Sequence, residues 1–163
     1  MEVRIASARC PVEGVVQVPP SKSIHQRVLV LDALAGGGTR IETGGAEPGD
    51  DVKRLGEALR QVGPWCGAAL GPGRERLHLD LGLGATGLRF TLALATLRPE
   101  GARTLVRGRP ALLRRPHTPL RRALVRLGAH IKRRHSGALR VLGGGLRGGA
   151  DVLVTIPATS SSQ

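Results

Sequence analysis

The segment Ser21-Lys22-Ser23-Ile24-His25-Gln26-Arg27 packs a hydroxyl, an ammonium and a guanidinium into seven residues behind Pro19-Pro20. Pro20 keeps Pro19 out of the helical region, so an amphipathic helix can begin only after it. Ser21 or Ser23 is placed to cap that helix, and its first-turn N–H groups then lack intrahelical partners. Lys22 adds a full positive charge to the partial one of the helix end. Arg27 follows Ser23 by four residues, so both lie on one face about a turn apart. A helix N-terminus furnished in this way is an anion site. An ordinary capped helix with solvated charges uses the same residues, and the motif alone admits both readings.

Three further segments carry similar chemistry. Gly82-Leu83-Gly84-Ala85-Thr86-Gly87-Leu88-Arg89 combines glycines that let a ligand approach the backbone with a hydroxyl at the start of a helix. It has neither the Lys-Ser/Thr ending of a nucleotide P-loop nor the dinucleotide fingerprint. Gly108-Arg109-Pro110-Ala111-Leu112-Leu113-Arg114-Arg115-Pro116 offers adjacent arginines suited to bidentate recognition of carboxylate or phosphate, or a plain basic surface loop. Ser160-Ser161-Ser162-Gln163 supplies hydroxyls and an amide where a further helix is expected to start, or a simple polar tail.

The elements needed to hold these groups alternate. Val3–Arg9 and Val15–Val18 read as strands around a Pro11-Val12-Glu13-Gly14 turn. Ser23–Ala35 reads as a helix with Ile24, Val28, Leu31 and Ala35 on its apolar face, stopped by Gly36-Gly37-Gly38. Thr39–Thr43 is a short strand, and Asp50 and Asp51 cap a second helix carrying Val52, Leu55, Leu59 and Val62. Strands at Leu77–Asp80, Thr104–Val106, Ala129–Arg133, Leu139–Leu142 and Asp151–Ile156 enclose helices at about Leu88–Leu97 and from Thr118-Pro119 onward. The pattern Leu55–Gly63 recurs at Leu120–Gly128, as expected of stacked supersecondary units that share a core. The last strand has no helix to cover it, so the chain reads as a fragment.

The formal charge of +13 comes from 22 Arg and 3 Lys against 12 acidic residues, which predicts affinity for anions. The arginine bias, with abundant Ala, Gly, Leu and Pro, is also what GC-rich coding produces. One Trp, one Phe and no Tyr leave the core to aliphatic side chains and argue against base stacking on single-stranded nucleic acid. No 18-residue apolar run is present, and the N-terminus lacks a signal-peptide stretch. Cys10 and Cys66 form no metal-ligand or disulfide pattern by spacing and read as buried free thiols of a cytosolic protein.

Taken in order, Ser21–Arg27, Asp50-Asp51, the Gly-Ala-Thr-x-x-Arg segment, Arg115-Pro116, Gly148-Gly149 and the final Ser-Ser-Gln resemble the 5-enolpyruvylshikimate-3-phosphate synthase family from about Val15 to Gln163. The resemblance implies an α/β (α+β) fold of repeated βαβαββ units, with about two of three units present. It implies that residues 1–18 pair with an absent second domain and that residues 19–163 form a partial domain. The family moves the enolpyruvyl group of phosphoenolpyruvate to the 5-hydroxyl of shikimate 3-phosphate in the cytoplasm, with no metal or cofactor. The hydroxyl adds to C2 as C3 is protonated, and phosphate leaves the tetrahedral intermediate. By the resemblance, Lys22 touches both substrates and is the catalytic residue, while Ser23 and Arg27 hold shikimate 3-phosphate. Arg115 grips phosphoenolpyruvate, Ala85 and Thr86 line its pocket, Ser161 and Ser162 bind the shikimate phosphate, and Gln163 lies between the substrates.

The sequence departs from the family at Leu83-Gly84-Ala85-Thr86, where the usual pattern is Asn-Ala-Gly-Thr or Asn-Ser-Gly-Thr. A polar group is lost, and a methyl stands where glycine lets phosphoenolpyruvate lie against the backbone. The family's closing half, with its carboxylates, arginines and histidine, is a missing partner, so the fragment alone is expected to be inactive. Two alternatives stand beside this reading. One is a relative of UDP-N-acetylglucosamine enolpyruvyl transferase, which shares the fold but has another lysine motif. The other is a basic nucleic-acid-binding module in which Arg103, Arg107, Arg109, Arg114, Arg115, Arg121, Arg122 and Arg126 form a stripe; no nucleic-acid-binding signature accompanies it.

Overall fold

The structure is a computed structural model that describes residues 14–15, 18, 20–39, 41–42, 45, 47–62, 76–147 and 153–155. It contains helices α1 (Lys22–Ala35), α2 (Asp50–Val62), α3 (Ala85–Thr96), α4 (Pro110–Leu113) and α5 (Thr118–Arg126). Strands β1 (Arg76–Asp80), β2 (Arg103–Arg107), β3 (His130–Arg133) and β4 (Leu139–Leu142) form one sheet in the order β1-β2-β4-β3. β1 and β2 run parallel, with α3 as their crossover. β4 pairs antiparallel with both β2 and β3. Arg76 to Leu142 therefore make one complete βαβαββ unit with a mixed sheet, with α4 inserted.

Strand alternation puts Leu79, Val106, Ile131, Leu139 and Val141 on the inner face, against Leu88, Leu92 and Ala95 of α3. Seven residues of α3 are buried, so it is wrapped on two sides and reads as an all-round apolar helix. Its other side, with Phe90 and Leu94, meets Val30 of α1 and Leu55 and Leu59 of α2. Full burial of a leucine such as Leu55, Leu88 or Leu92 contributes about 1.5–3 kcal/mol. The central helix is thus the element on which α1, α2 and the sheet are registered.

Several expectations need correction. The buried face of α1 is Gln26, Leu29, Val30, Ala33 and Leu34, whereas Ile24 and Leu31 are 63% and 64% exposed. Two stripes two residues out of phase, on nearly opposite faces of the helix, were available, and packing on Phe90 and Leu94 selects the one that begins at Gln26. α3 starts at Ala85, three residues earlier than expected, because Gly84 ends the preceding turn. Among the described residues, Val15, Val18, Thr39, Ile41, Glu42 and Leu153–Thr155 lie in no strand. None of them enters the pairings of the four described strands. Val3–Arg9, Cys10, Cys66 and Gly148-Gly149 fall outside the described residues.

Candidate active site

The N-terminal ends of three helices meet at Asp51. Lys22 Nζ donates to Asp51 Oδ2 at 2.8 Å, and Gln26 Nε2, buried on the same helix, donates to the Asp51 carbonyl at 3.3 Å. A side chain added at Gly84 would place its Cβ 3.4 Å from the Asp51 Cβ and 3.2 Å from the Leu81 carbonyl. Asp51 therefore sits between the lysine of α1 and the first turn of α3. Expected as caps, Asp50 and Asp51 instead occupy the first turn of α2 and serve as ion-pair partners. Asp50 accepts from Arg54 Nε at 2.8 Å, and this bond raises the Arg54 pKa further.

The helix ends are left open. Gly84 is the N-cap of α3 and has no side-chain oxygen to return to the helix, and the Ser21 hydroxyl makes no cap bond to α1. The N–H groups of Ala85, Thr86 and Gly87 have no backbone acceptor among the described residues; the first bond of the turn is Leu88 N–H to Gly84. Such donors, aligned with the helix dipole, suit an anion. The neither-capping serines correct the expectation for Ser21 and Ser23. Ser23 is instead covered by Arg27, whose guanidinium donates to its carbonyl at 2.9 Å and to its hydroxyl.

The glycine loop is rigidly tied. Gly82 has φ +55°, a conformation glycine tolerates without strain, and its N–H is held by Asp80 Oδ1 at 2.9 Å. Its carbonyl accepts from Arg109 N–H at 2.8 Å, which links this loop to the one after β2. Ala85 is half-buried and packs against the main core, so part of its methyl faces inward. Thr86 is half-buried in the first turn.

A second set of charges lies at the α4–α5 junction. Arg115 is exposed, and Arg89 on α3 is close enough that burial first, and then Arg115, lower its pKa. His117 is 7% exposed; its Nε2 meets the Leu112 carbonyl at 2.9 Å, and its Nδ1 is buried without a partner among the described residues. Burial of the ring holds its pKa below 6.5, with Arg89, Arg115 and Arg133 acting in the same direction against the Leu112 bond. These guanidinium groups raise one another's electrostatic cost, and none is ion-paired with a carboxylate among the described residues, an arrangement that favours an anion.

A family model for EPSP synthase (3-phosphoshikimate 1-carboxyvinyltransferase) matches residues 7–163. The chain belongs to the EPSP synthase family. It is similar to the 3-phosphoshikimate 1-carboxyvinyltransferase of Chlamydia trachomatis serovar L2, at 32% identity over 134 residues, covering 77% of this chain and 30% of that protein. The enzyme of the same name from Tolumonas auensis is 34% identical over 168 residues, covering 93% of this chain and 38% of the relative. That from Bordetella petrii is 38% identical over 127 residues, with 72% and 28% covered. The chain thus spans about a third of the length of the curated relatives it matches.

Of the residues singled out from the sequence, Lys22, Ser23 and Arg27 lie together on α1, and Ala85 and Thr86 begin the helix that Asp51 joins to Lys22. Arg115 stands beside Arg89, while Ser161, Ser162 and Gln163 lie outside the described residues. Asp51, Arg89 and His117 were not among the expected site residues. The Asp-Asp pair and the Thr-x-x-Arg spacing were visible, but nothing in the sequence showed that they face the lysine and Arg115. The eight arginines proposed as a stripe are divided among β2, the positions flanking α4, and α5. Among the described residues, no helix is long and apolar enough to cross a membrane, and no cluster of His, Cys, Asp and Glu could hold a metal ion.

Proposed function

We propose that this chain forms one wall of a site for phosphoenolpyruvate and shikimate 3-phosphate, and that the complete site transfers the enolpyruvyl group to the 5-hydroxyl of shikimate 3-phosphate. The observation that carries this reading is the lysine held by Asp51 beside the open first turn of α3. An ammonium there stabilises charge on a departing phosphate, and its proton is available to a reacting carbon. Ser23 and Arg27 bind shikimate 3-phosphate by exchanging their mutual bonds for bonds to the ligand. Arg115, with Arg89, takes the phosphoenolpyruvate anion, and Ala85 and Thr86 border it. Ser161 and Ser162 serve the shikimate phosphate, and Gln163 separates the substrates.

In this reading, residues 1–18 form strands that pair with a second domain, residues 19–163 hold about two of three repeated units, and the enzyme works in the cytoplasm. The other wall of the cleft comes from sequence this chain does not contain. Closure of two walls excludes water and completes such sites. The chain by itself therefore binds substrate weakly and does not turn it over. Calorimetric titration with shikimate 3-phosphate tests the binding role: Arg27→Ala should abolish what the parent chain binds. A phosphate-release assay tests the second claim, and turnover of about one per second or more by the isolated chain would refute it.

A further inference from the structure

The outer face of the sheet, opposite the face packed on α3, carries a second basic cluster. Strand register aligns Arg76 with Arg103 across β1 and β2, and Arg140 with Lys132 across β4 and β3. Like charges directly opposite in a sheet destabilise it, so these positions carry a cost that packing does not explain. Arg76, Arg103, Arg134 and Arg140 converge with His78 on a depression of about 230 Å³ that Leu105 also lines. Among the described residues, none of the four arginines has a carboxylate within 4.0 Å. The Arg140 Nε is buried and has no hydrogen-bond acceptor among the described residues. A buried guanidinium donor without an acceptor is costly unless a ligand supplies one.

We propose that this depression is an anion site for a compact polyphosphate chain, independent of the substrate site described above. Guanidinium groups bind phosphate oxygens in a bidentate fork, and several around one hollow favour linked phosphates over a single one. The volume falls below the range of about 300–1,000 Å³ typical of drug-sized ligands, which suits a small, highly charged anion. Among the described residues that line it His78 is the one ring, too little to stack successive bases, so a nucleic-acid strand is disfavoured.

Titration of the chain with sodium tripolyphosphate at low salt, followed by amide chemical shifts, tests the proposal. Shifts are expected along β1, β2 and β4, in addition to any at the first turns of α1 and α3. Arg103→Glu and Arg140→Glu should each weaken the sheet-face event at least tenfold, and Arg115→Ala should leave it unchanged. Arg76→Gln, at an exposed strand end, gives the same test with little risk to folding. Without ligand, Arg103→Glu should not lower the thermal midpoint, because it turns a repulsive pair into an attractive one. Shifts confined to the α1 and α3 ends, or wild-type affinity in Arg76→Gln and Arg103→Glu, would overturn the site. Single-stranded RNA displacing tripolyphosphate at equal phosphate concentration would overturn the ligand class.

Discussion

Replacing His117 with phenylalanine removes a buried titrating ring and separates two effects that share one residue. The bond to the Leu112 carbonyl at 2.9 Å requires the proton on Nε2, which leaves Nδ1 bare and buried. Above about pH 7 the substitution strands that carbonyl, a loss of about 1–3 kcal/mol, partly offset because the unpaired Nδ1 also disappears. We expect a net destabilisation of about 1 kcal/mol. The acid side behaves differently. The folded-state pKa of His117 lies below 6.5, chiefly through burial and then through Arg89, Arg115 and Arg133. The unfolded chain therefore binds the proton first as pH falls. Stability linked to His117 is complete above 6.5 and is lost as pH drops from there through the folded value, at no more than about 1.4 kcal/mol per pH unit. Urea unfolding of both forms, at about pH 8 and at half-unit steps down to about pH 5, measures the difference directly. The deficit of the variant should shrink or reverse on the acid side. A difference that stays constant over that window would refute the buried, titrating ring. An anion bound by Arg89 and Arg115 should also draw a proton onto His117, so its binding enthalpy near pH 6 should vary with buffer in the parent and not in the variant.

Arg115→Ala should weaken phosphoenolpyruvate by about 1.5–3 kcal/mol, roughly ten- to a hundredfold, because a charged hydrogen-bonding partner is lost at an exposed position. Arg114→Ala should cost much less, and equal losses in calorimetry would make the pair plain surface charge. Gly84→Ala puts a methyl 3.2 Å from the Leu81 carbonyl and 3.4 Å from Asp51, so it should lower stability by about 1–3 kcal/mol and weaken anion binding together. A thermal melt and a phosphate titration of that variant test both. Leu55→Ala, at a fully buried position that joins α2 to α3, should cost about 2–5 kcal/mol by chemical denaturation.

Local signals carried much of this structure. Pro19-Pro20 and the glycine run bounded α1 to within a residue, and Gly128, at φ +90°, closes α5 where the apolar spacing ends. The strands at Leu77–Asp80 and Leu139–Leu142 followed from their short length and their alternation of apolar and polar residues. What failed needed tertiary information. Either apolar stripe of α1 satisfies helical periodicity, and only Phe90 and Leu94 decide between them. α4 was read as loop because it is four residues long, although Pro110 sits at the N-terminal position where proline favours a helix. The lysine motif was legible from spacing, but its partner lies 29 residues away and is set by how α1 and α2 cross. Arg89 and His117 belong to the same category, since each gains its meaning from the arginine opposite.

The uneven anchoring of α1 bears on how the site moves. Only Gln26 and Val30 are fully buried on this helix, against seven residues of α3, while Ile24 and Leu31 lie in water. Local opening free energies follow burial, so α1 should exchange its amide hydrogens through sub-global opening long before α3 does. Lys22, Ser23 and Arg27 ride on that loosely held element, whereas Ala85 and Thr86 begin the most firmly held one. The two sides of the proposed substrate site thus belong to cooperative units of different stability. A ligand bridging them gains part of its effect by suppressing that opening, and slowed hydrogen exchange in α1 would record its arrival.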